Sequence, residues 1–119
     1  MNIPYKKQFT FQERKNESSR VLNKFPNKIP IIVEYIGRNN KNNPILDRRK
    51  FLVPNDIVGG QFNYVIRKRI KFEPSKSIFL FVNRKILLES HKLMSQVYDQ
   101  YKDIDGFLYI SYSYENTFG

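Results

Sequence analysis

Cysteine is absent from the 119 residues, which removes disulfides, thiolate nucleophiles and cysteine-based metal sites from consideration. A chain of this kind suits a reducing compartment. Long apolar runs are missing too. The longest, Ile78-Phe79-Leu80-Phe81-Val82, is far short of the roughly 20 residues that a membrane helix needs. The opening residues, Met1 to Lys7, lack the apolar stretch of a secretory signal, so the expected location is the cytoplasm. The glycosylation-like triplet Asn16-Glu17-Ser18 is then accidental. Acidic charge is scarce, 11 residues against 21 basic ones for a net charge of +10. A surface this basic attracts phosphates, anionic headgroups or acidic peptides.

Apolar residues make up 40% and aromatics 15%, enough for one folded domain with a single core. Thr10 and Glu13 have capping-box spacing, which predicts a helix from there to about Lys24. Phe11, Ser18, Val21, Leu22 and Phe25 give it a modest stripe, and Phe25-Pro26 ends it. Residues 28–36, β-branched with Pro30 near the start, read as a strand. The stretch from Gly37 to Pro44, rich in asparagine, reads as a loop. Arg48 to Pro54 follows as a second strand, whose charged front and terminal proline mark an edge.

Asn55 or Asp56 is placed to cap a helix whose apolar positions Val58, Phe62, Val65, Ile66 and Ile70 keep a 3.6 period. Residues 77–82 read as a buried strand. Leu93, Met94, Val97, Tyr98 and Tyr101 mark a short helix with Ser90 as its expected cap. Residues 107–112 form the last strand. Two strands, a helix across them and two more strands make a β-grasp of the α+β class with a four-stranded mixed sheet. The first helix is an addition to that unit.

Three features imitate functional sites. His91 has no ligand spacing around it and reads as surface. Asp99, Asp103 and Asp105 lack the calcium-loop pattern and read as a solvated helix end. Gly59-Gly60 misses the phosphate-loop and dinucleotide spacings, and is expected to let two backbones approach closely. No nucleophile, base and orienting group stand in a recognisable arrangement, so the chain is not expected to be an enzyme.

The segments KFPNKIPIIVEY, DRRKFLVPNDIVGGQFNYVIRKRI, IFLFVN and LMSQVYDQYKDIDGFLYISYSYENTFG together resemble the ubiquitin-like modifiers of autophagy. These are the GABA-receptor-associated protein and the microtubule-associated light-chain proteins. The likeness runs nearly the whole chain and is most specific from Asp47 to Ile70. It implies a ubiquitin fold preceded by two N-terminal helices. The resulting division is 1–26 as helical extension, 27–114 as β-grasp and 115–119 as conjugation tail.

The resemblance also implies a chemistry. Gly119 would be adenylated, passed through thioesters on activating and conjugating enzymes, and joined to phosphatidylethanolamine. No other cofactor is implied. Without a Cβ, Gly119 can enter a narrow active site. A cysteine protease would process or release the conjugate. The unconjugated form would be a cytoplasmic monomer, and the lipidated form would sit on autophagosomes and other vesicles. Cargo receptors would dock through an acidic lead, an aromatic, two variable residues and an aliphatic.

An extended peptide can add beside an edge strand such as Arg48–Val53. By resemblance the aromatic pocket falls to Glu17, Val21, Pro30, Ile32, Lys50, Leu52 and Phe107. The aliphatic pocket falls to Phe51, Val53, Pro54, Ile57, Phe62 and Val65. Leu52 on one face, with Phe51 and Val53 on the other, fits the strand period of two. Phe51, large and apolar on a charged edge, is expected to face a partner. Lys28, Arg48 and Arg69 are the candidates for contacting the acidic lead.

Several departures from the family pattern bear on partner choice. The proline pair that often follows the Phe-Val-Asn strand is replaced by Lys85-Ile86-Leu87-Leu88, the loop after the first strand is longer, and Tyr35 stands where a basic residue is common. Two rival readings use the same charge. Arg48-Arg49-Lys50 and Arg67-Lys68-Arg69 would bind nucleic acid in a salt-dependent way, although no RNA-recognition signature accompanies them. The same basic helices could instead hold acidic tubulin tails.

Overall fold

The computed structural model describes residues 3–37, 46–70 and 77–114. Its elements in chain order are α1 (Tyr5–Gln8), α2 (Phe11–Lys24), β1 (Lys28–Tyr35), β2 (Lys50–Pro54), α3 (Gly59–Ile70), β3 (Phe79–Val82), β4 (Ile86–Leu87), α4 (Met94–Tyr101) and β5 (Leu108–Ser113). The sheet has five strands rather than the expected four, in the order β2-β1-β5-β3-β4. The added strand is the short β4, paired antiparallel to β3 through Phe81 with Leu87 and Val82 with Ile86. Asn83 (φ 52°) and Arg84 (φ 65°) turn the chain between them. The central pair β1 and β5 runs parallel, and β2 lies antiparallel on the outer side of β1.

Alternation along β1 and β2 sorts the side chains to two faces. Ile29, Ile31, Val33, Phe51 and Val53 pack with Phe62, Ile66 and Ile70 of α3 and with Met94 and Val97 of α4. On the opposite face Ile32, Phe107 and Tyr109 pack with Tyr5 and Phe9. Because both faces are covered, all six residues of β5 are buried.

Both N-terminal helices are present. Thr10 caps α2 as expected: its Oγ accepts from the Glu13 N–H, and the Glu13 carboxylate accepts from the Thr10 N–H. The pair of helices is fastened by Asp105, which is fully buried. Its carboxylate accepts from Arg14 Nε at 2.8 Å, Tyr109 Oη at 2.5 Å and the Phe107 N–H at 2.9 Å. Arg14 Nη1 also bonds the carbonyls of Lys6 and Phe9, tying the end of α1 into the same knot. Ser18 Oγ donates to the Asp105 carbonyl. Burial and the Asp105 carboxylate raise the Tyr109 pKa far above the ordinary tyrosine value, so its hydroxyl stays a donor.

The expectation that the Asp99–Asp105 segment is a solvated helix end therefore fails at Asp105, because a carboxylate this well paired can be enclosed. Gly106 follows it at φ +94°, a left-handed conformation that favours glycine, with Ser18 Oγ 2.3 Å from where a Cβ would stand.

Other local expectations are corrected. α3 begins at Gly59, and the Gln61 side chain accepts from the Val58 N–H. The Asn55 backbone is instead engaged with Asn27 and Ser95. α4 begins after Leu93 rather than under Ser90, with Gln96 Oε1 accepting from the Leu93 N–H. β2 starts at Lys50, because the chain before it is not yet paired with β1 in a regular ladder. The reading of Gly59-Gly60 holds: both N–H groups bond backbone carbonyls, of Lys92 and Ser90. A Cβ on Gly59 would fall 2.3 Å from the Glu89 carbonyl oxygen. His91 is exposed beside Glu89, as a surface residue.

Candidate functional site

Among the described residues no strand pairs with the outer side of β2. Val33 N–H donates to the Arg49 carbonyl and Asn55 N–H to the Asn27 carbonyl. Arg49, Phe51, Val53 and Asn55 thus turn their backbone groups toward β1, since pairing directions alternate along a strand. Lys50 and Leu52 turn N–H and C=O outward, and Pro54 offers only a carbonyl. This is the geometry that accepts an added strand.

Between β2 and α3 lies an open groove of about 650 Å³, lined among others by Arg48, Leu52, Ile57, Tyr64, Val65 and Arg69. Of the aliphatic-pocket candidates, Phe51, Val53, Pro54, Ile57 and Val65 line it. Phe62 does not: it is fully buried beneath, edge-on to Phe51 at 6.2 Å. Phe51 itself is also buried, so it supplies the groove floor and is not the exposed anchor expected from its place on a charged edge. Its ring is consumed by α3, a contact no strand pattern reveals. Gly60, Gln61 and Tyr64 also line the groove and escaped the sequence reading. Gln61, Tyr64, Val65 and Lys68 share one helix face by i, i+3, i+4 spacing, and Tyr64 is 61% exposed. That spacing was the available signal.

The aromatic-pocket candidates gather on the other face. Leu52 stands opposite Pro30, and Lys50 opposite Ile32. Leu52, half-buried, is the one aromatic-pocket candidate that lines the α3 groove. Ile32 and Phe107 are sealed in the cluster under α1, and Pro30 is buried as well, so the three are core here and not an open pocket lining. Val21 is half-buried on α2. Glu17 accepts from Arg20 Nη2 at 2.9 Å and from Lys50 Nζ at 3.2 Å, which links α2 to the strand. The bond from Arg20, followed by Lys50, holds the Glu17 carboxyl below the ordinary glutamate range against the opposing effect of partial burial.

The three basic candidates separate. Arg48 and Arg69 line the same groove, where Arg69 Nε meets Asp47 Oδ1 at 3.3 Å. Lys28 lies opposite Pro54, about 20 Å along the strand from Arg48 at the usual rise per residue. The triplet Arg48-Arg49-Lys50 is engaged internally. Arg48 bonds the Lys50 carbonyl, Arg49 bonds the Ile3 carbonyl and the Gln8 side chain, and Lys50 bonds Glu17. Gly119 and residues 38–45 fall outside the described residues.

These features, a five-stranded mixed sheet with an inserted α3 and two helices in front, define a ubiquitin-like α+β protein. A family model described as autophagy protein Atg8 ubiquitin like matches residues 13–119. The chain is 53% identical to the autophagy-related protein 8 of Kluyveromyces lactis, covering 100% of this chain and 94% of that protein. It is 48% identical to that of Schizosaccharomyces pombe, covering 100% and 96%. The crystal structure of Trypanosoma brucei ATG8 superposes with a TM-score of 0.86 at 41% identity, covering all of both chains. Plasmodium falciparum Atg8, solved in complex with a Plasmodium falciparum Atg3 peptide, gives 0.85 at 33% identity over 98% of this chain and 100% of that one. The chain belongs to the Atg8 family. It is a ubiquitin-like modifier of autophagy, not an enzyme.

Proposed function

We propose that this modifier is joined through Gly119 to phosphatidylethanolamine, and that from the membrane it docks short acidic-led aromatic-x-x-aliphatic segments along β2. The observation that carries the docking half is the outer edge of β2, which no described strand pairs, beside the apolar groove against α3. Backbone bonds from Lys50 and Leu52 would hold the added strand. The side of β2 toward α2, where Val21 and Leu52 are half-buried, would take its aromatic and the α3 groove its aliphatic. One well-buried anchor can be worth about 2 kcal/mol or more, so two anchors together with the backbone bonds would carry the complex. The Atg3 peptide bound by the Plasmodium relative supports a conjugating enzyme among the partners. Activating enzymes, a cysteine protease and cargo receptors complete the expected set.

Family membership supports Gly119 as the attachment point. Among the described residues no helix is long and apolar enough to cross a membrane. A two-chain lipid supplies anchoring that one chain would not, at about 0.8 kcal/mol per buried methylene. The free form is then a cytoplasmic monomer and the conjugate resides on autophagosome and vesicle membranes. The deciding experiment is intact mass analysis of the membrane-bound fraction during autophagosome formation. A mass increase equal to phosphatidylethanolamine on the peptide that contains Gly119, lost in Gly119→Ala, is expected. Membrane-bound protein with no such adduct would overturn the proposal.

A further inference from the structure

Three tyrosine rings gather where β5 ends and the chain leads on to Gly119. Tyr35 and Tyr112 stand opposite each other in the parallel ladder of β1 and β5, which puts both side chains on one face. Their ring centroids are 5.2 Å apart. Tyr114 follows Tyr112 by two residues, the spacing that returns a side chain to the same face. Its ring lies 5.9 Å from Tyr35 and 6.2 Å from Tyr112. The ladders of β5 stop short of it, at Tyr112 with Tyr35 and at Ser113 with Phe79. Tyr114 is thus past the last paired residue, yet it is half-buried and packed against the main core. Burial, with Tyr112 and Tyr35 beside it, pushes its hydroxyl well above the ordinary tyrosine range.

The two supporting rings are themselves fixed. Tyr112 is 1% exposed, and its Oη accepts from the Leu46 N–H at 3.0 Å. Gly37, at φ +126°, passes close to Tyr35: a Cβ there would stand 3.3 Å from the Tyr35 hydroxyl. Ring packing takes over where the ladder stops.

We infer that Tyr114, seated between Tyr35 and Tyr112, clamps the root of the conjugation segment and is a positioning residue for the transfer of Gly119. This deepens the conjugation proposal and rests on it. In that transfer the lipid amine attacks the Gly119 carbonyl of an enzyme thioester. The amide bond forms as the C–S bond breaks, and the amine proton leaves with the freed thiol. Residues 115–119 can span at most about 17 Å. With the root held, Gly119 is delivered within that radius of one fixed point on the β-grasp. With the root loose, each encounter must also find the direction of departure, which lowers the share of productive ones. One ring pair shifts an equilibrium by about two- to tenfold, so losing both pairs of Tyr114 frees the root.

Tyr114→Ser, Tyr114→Phe and Tyr35→Ala are compared with the wild type in two measurements. One is lipid conjugation reconstituted from activating enzyme, conjugating enzyme, ATP and phosphatidylethanolamine vesicles. The other is nitrogen-15 relaxation of the residue 114 amide. The clamp predicts an order parameter of about 0.85 in the wild type and Tyr114→Phe, and below about 0.6 in Tyr114→Ser. In Tyr114→Ser kcat should fall about five- to tenfold, the scale of the lost ring pairs, with KM held within about twofold. Tyr114→Phe should keep both constants, and Tyr35→Ala should fall between.

An order parameter unchanged in Tyr114→Ser overturns the inference. So does one that drops while kcat stays the same, or a rise in KM alone, which would make Tyr114 an enzyme contact. If the wild type itself forms no lipid conjugate, the conjugation reading fails and takes this one with it. Amide spectra of the same samples verify that β1, β3 and β5 are intact in each variant; Tyr114 lies beyond the last rung, so its replacement leaves the ladders in place.

Discussion

Against one face of the sheet, α3 and α4 press Phe62, Ile66, Met94 and Val97 onto alternate residues of β1 and β2. Against the other, α1 and α2 cover a much smaller cluster, and a buried carboxylate with three donors is joined by more exposed bonds from Arg49, Lys50 and Lys6. The first face is held by apolar area, which is nondirectional and shared among many residues. The second is held by directed bonds. The difference says that the β-grasp is the stable unit and that the helical pair is fastened to it by directed bonds, the one buried set of which is at Asp105. Strand β2 lies where the two regimes meet. Its Phe51 and Val53 belong to the apolar face, while Lys50 reaches Glu17 on the other.

The largest break should come from the apolar face. Phe62→Ala is expected to destabilise the whole domain by about 3–5 kcal/mol, read as one cooperative shift of the urea midpoint. Next is Asp105→Ala. Removing one partner of a buried ion pair costs about 3–5 kcal/mol, but here the loss should fall on the helical pair. Amide exchange should accelerate in α1 and α2 while β1, β5 and α3 keep their protection. Uniform acceleration everywhere would show that the two faces are one unit after all. Gly106→Ala sharpens the same point from the backbone. Its positive φ and the close Ser18 hydroxyl predict about 1–3 kcal/mol of strain, again in α2 first.

The smallest effect concerns Glu17. Its carboxyl titrates below the ordinary glutamate range in the fold. The contribution is therefore complete above the unfolded glutamate value and is lost as pH falls through the lower folded one. Between pH 7 and about 5 the α2–β2 link should not change. Below that it should weaken by no more than about 1 kcal/mol, because Arg20 and Lys50 are largely exposed. Glu17→Gln should remove that part of the acid dependence, measured by thermal unfolding across the range.

Much of this arrangement was legible in the sequence where a period or a cap extends over several residues. The 3.6 spacing from Phe62 to Ile70 marked α3, and Thr10 with Glu13 marked the start of α2. β4 was not legible, because the two residues Ile86 and Leu87 carry no period. Its existence depends on the Asn83-Arg84 turn and on the free side of β3. Asp105 was misread for a related reason: a carboxylate among charged neighbours looks solvated until Arg14, 91 residues earlier, folds onto it.

In the candidate site the strand period correctly put Leu52 opposite Phe51 and Val53. It could not show that Phe51 is already covered by α3, nor that Lys28 lies at the far end of the strand from Arg48. Such facts depend on register and packing between distant segments.

The central structural claim is that β2 takes up a further strand along its outer edge. Residue-resolved amide hydrogen exchange, with and without a saturating acidic-led aromatic-x-x-aliphatic peptide, tests it most directly. The account predicts that the Lys50 and Leu52 amides, which face away from β1, gain protection, while Phe51 and Val53, already bonded to β1, change little. Protection that appears elsewhere on the molecule while Lys50 and Leu52 exchange as before would contradict it.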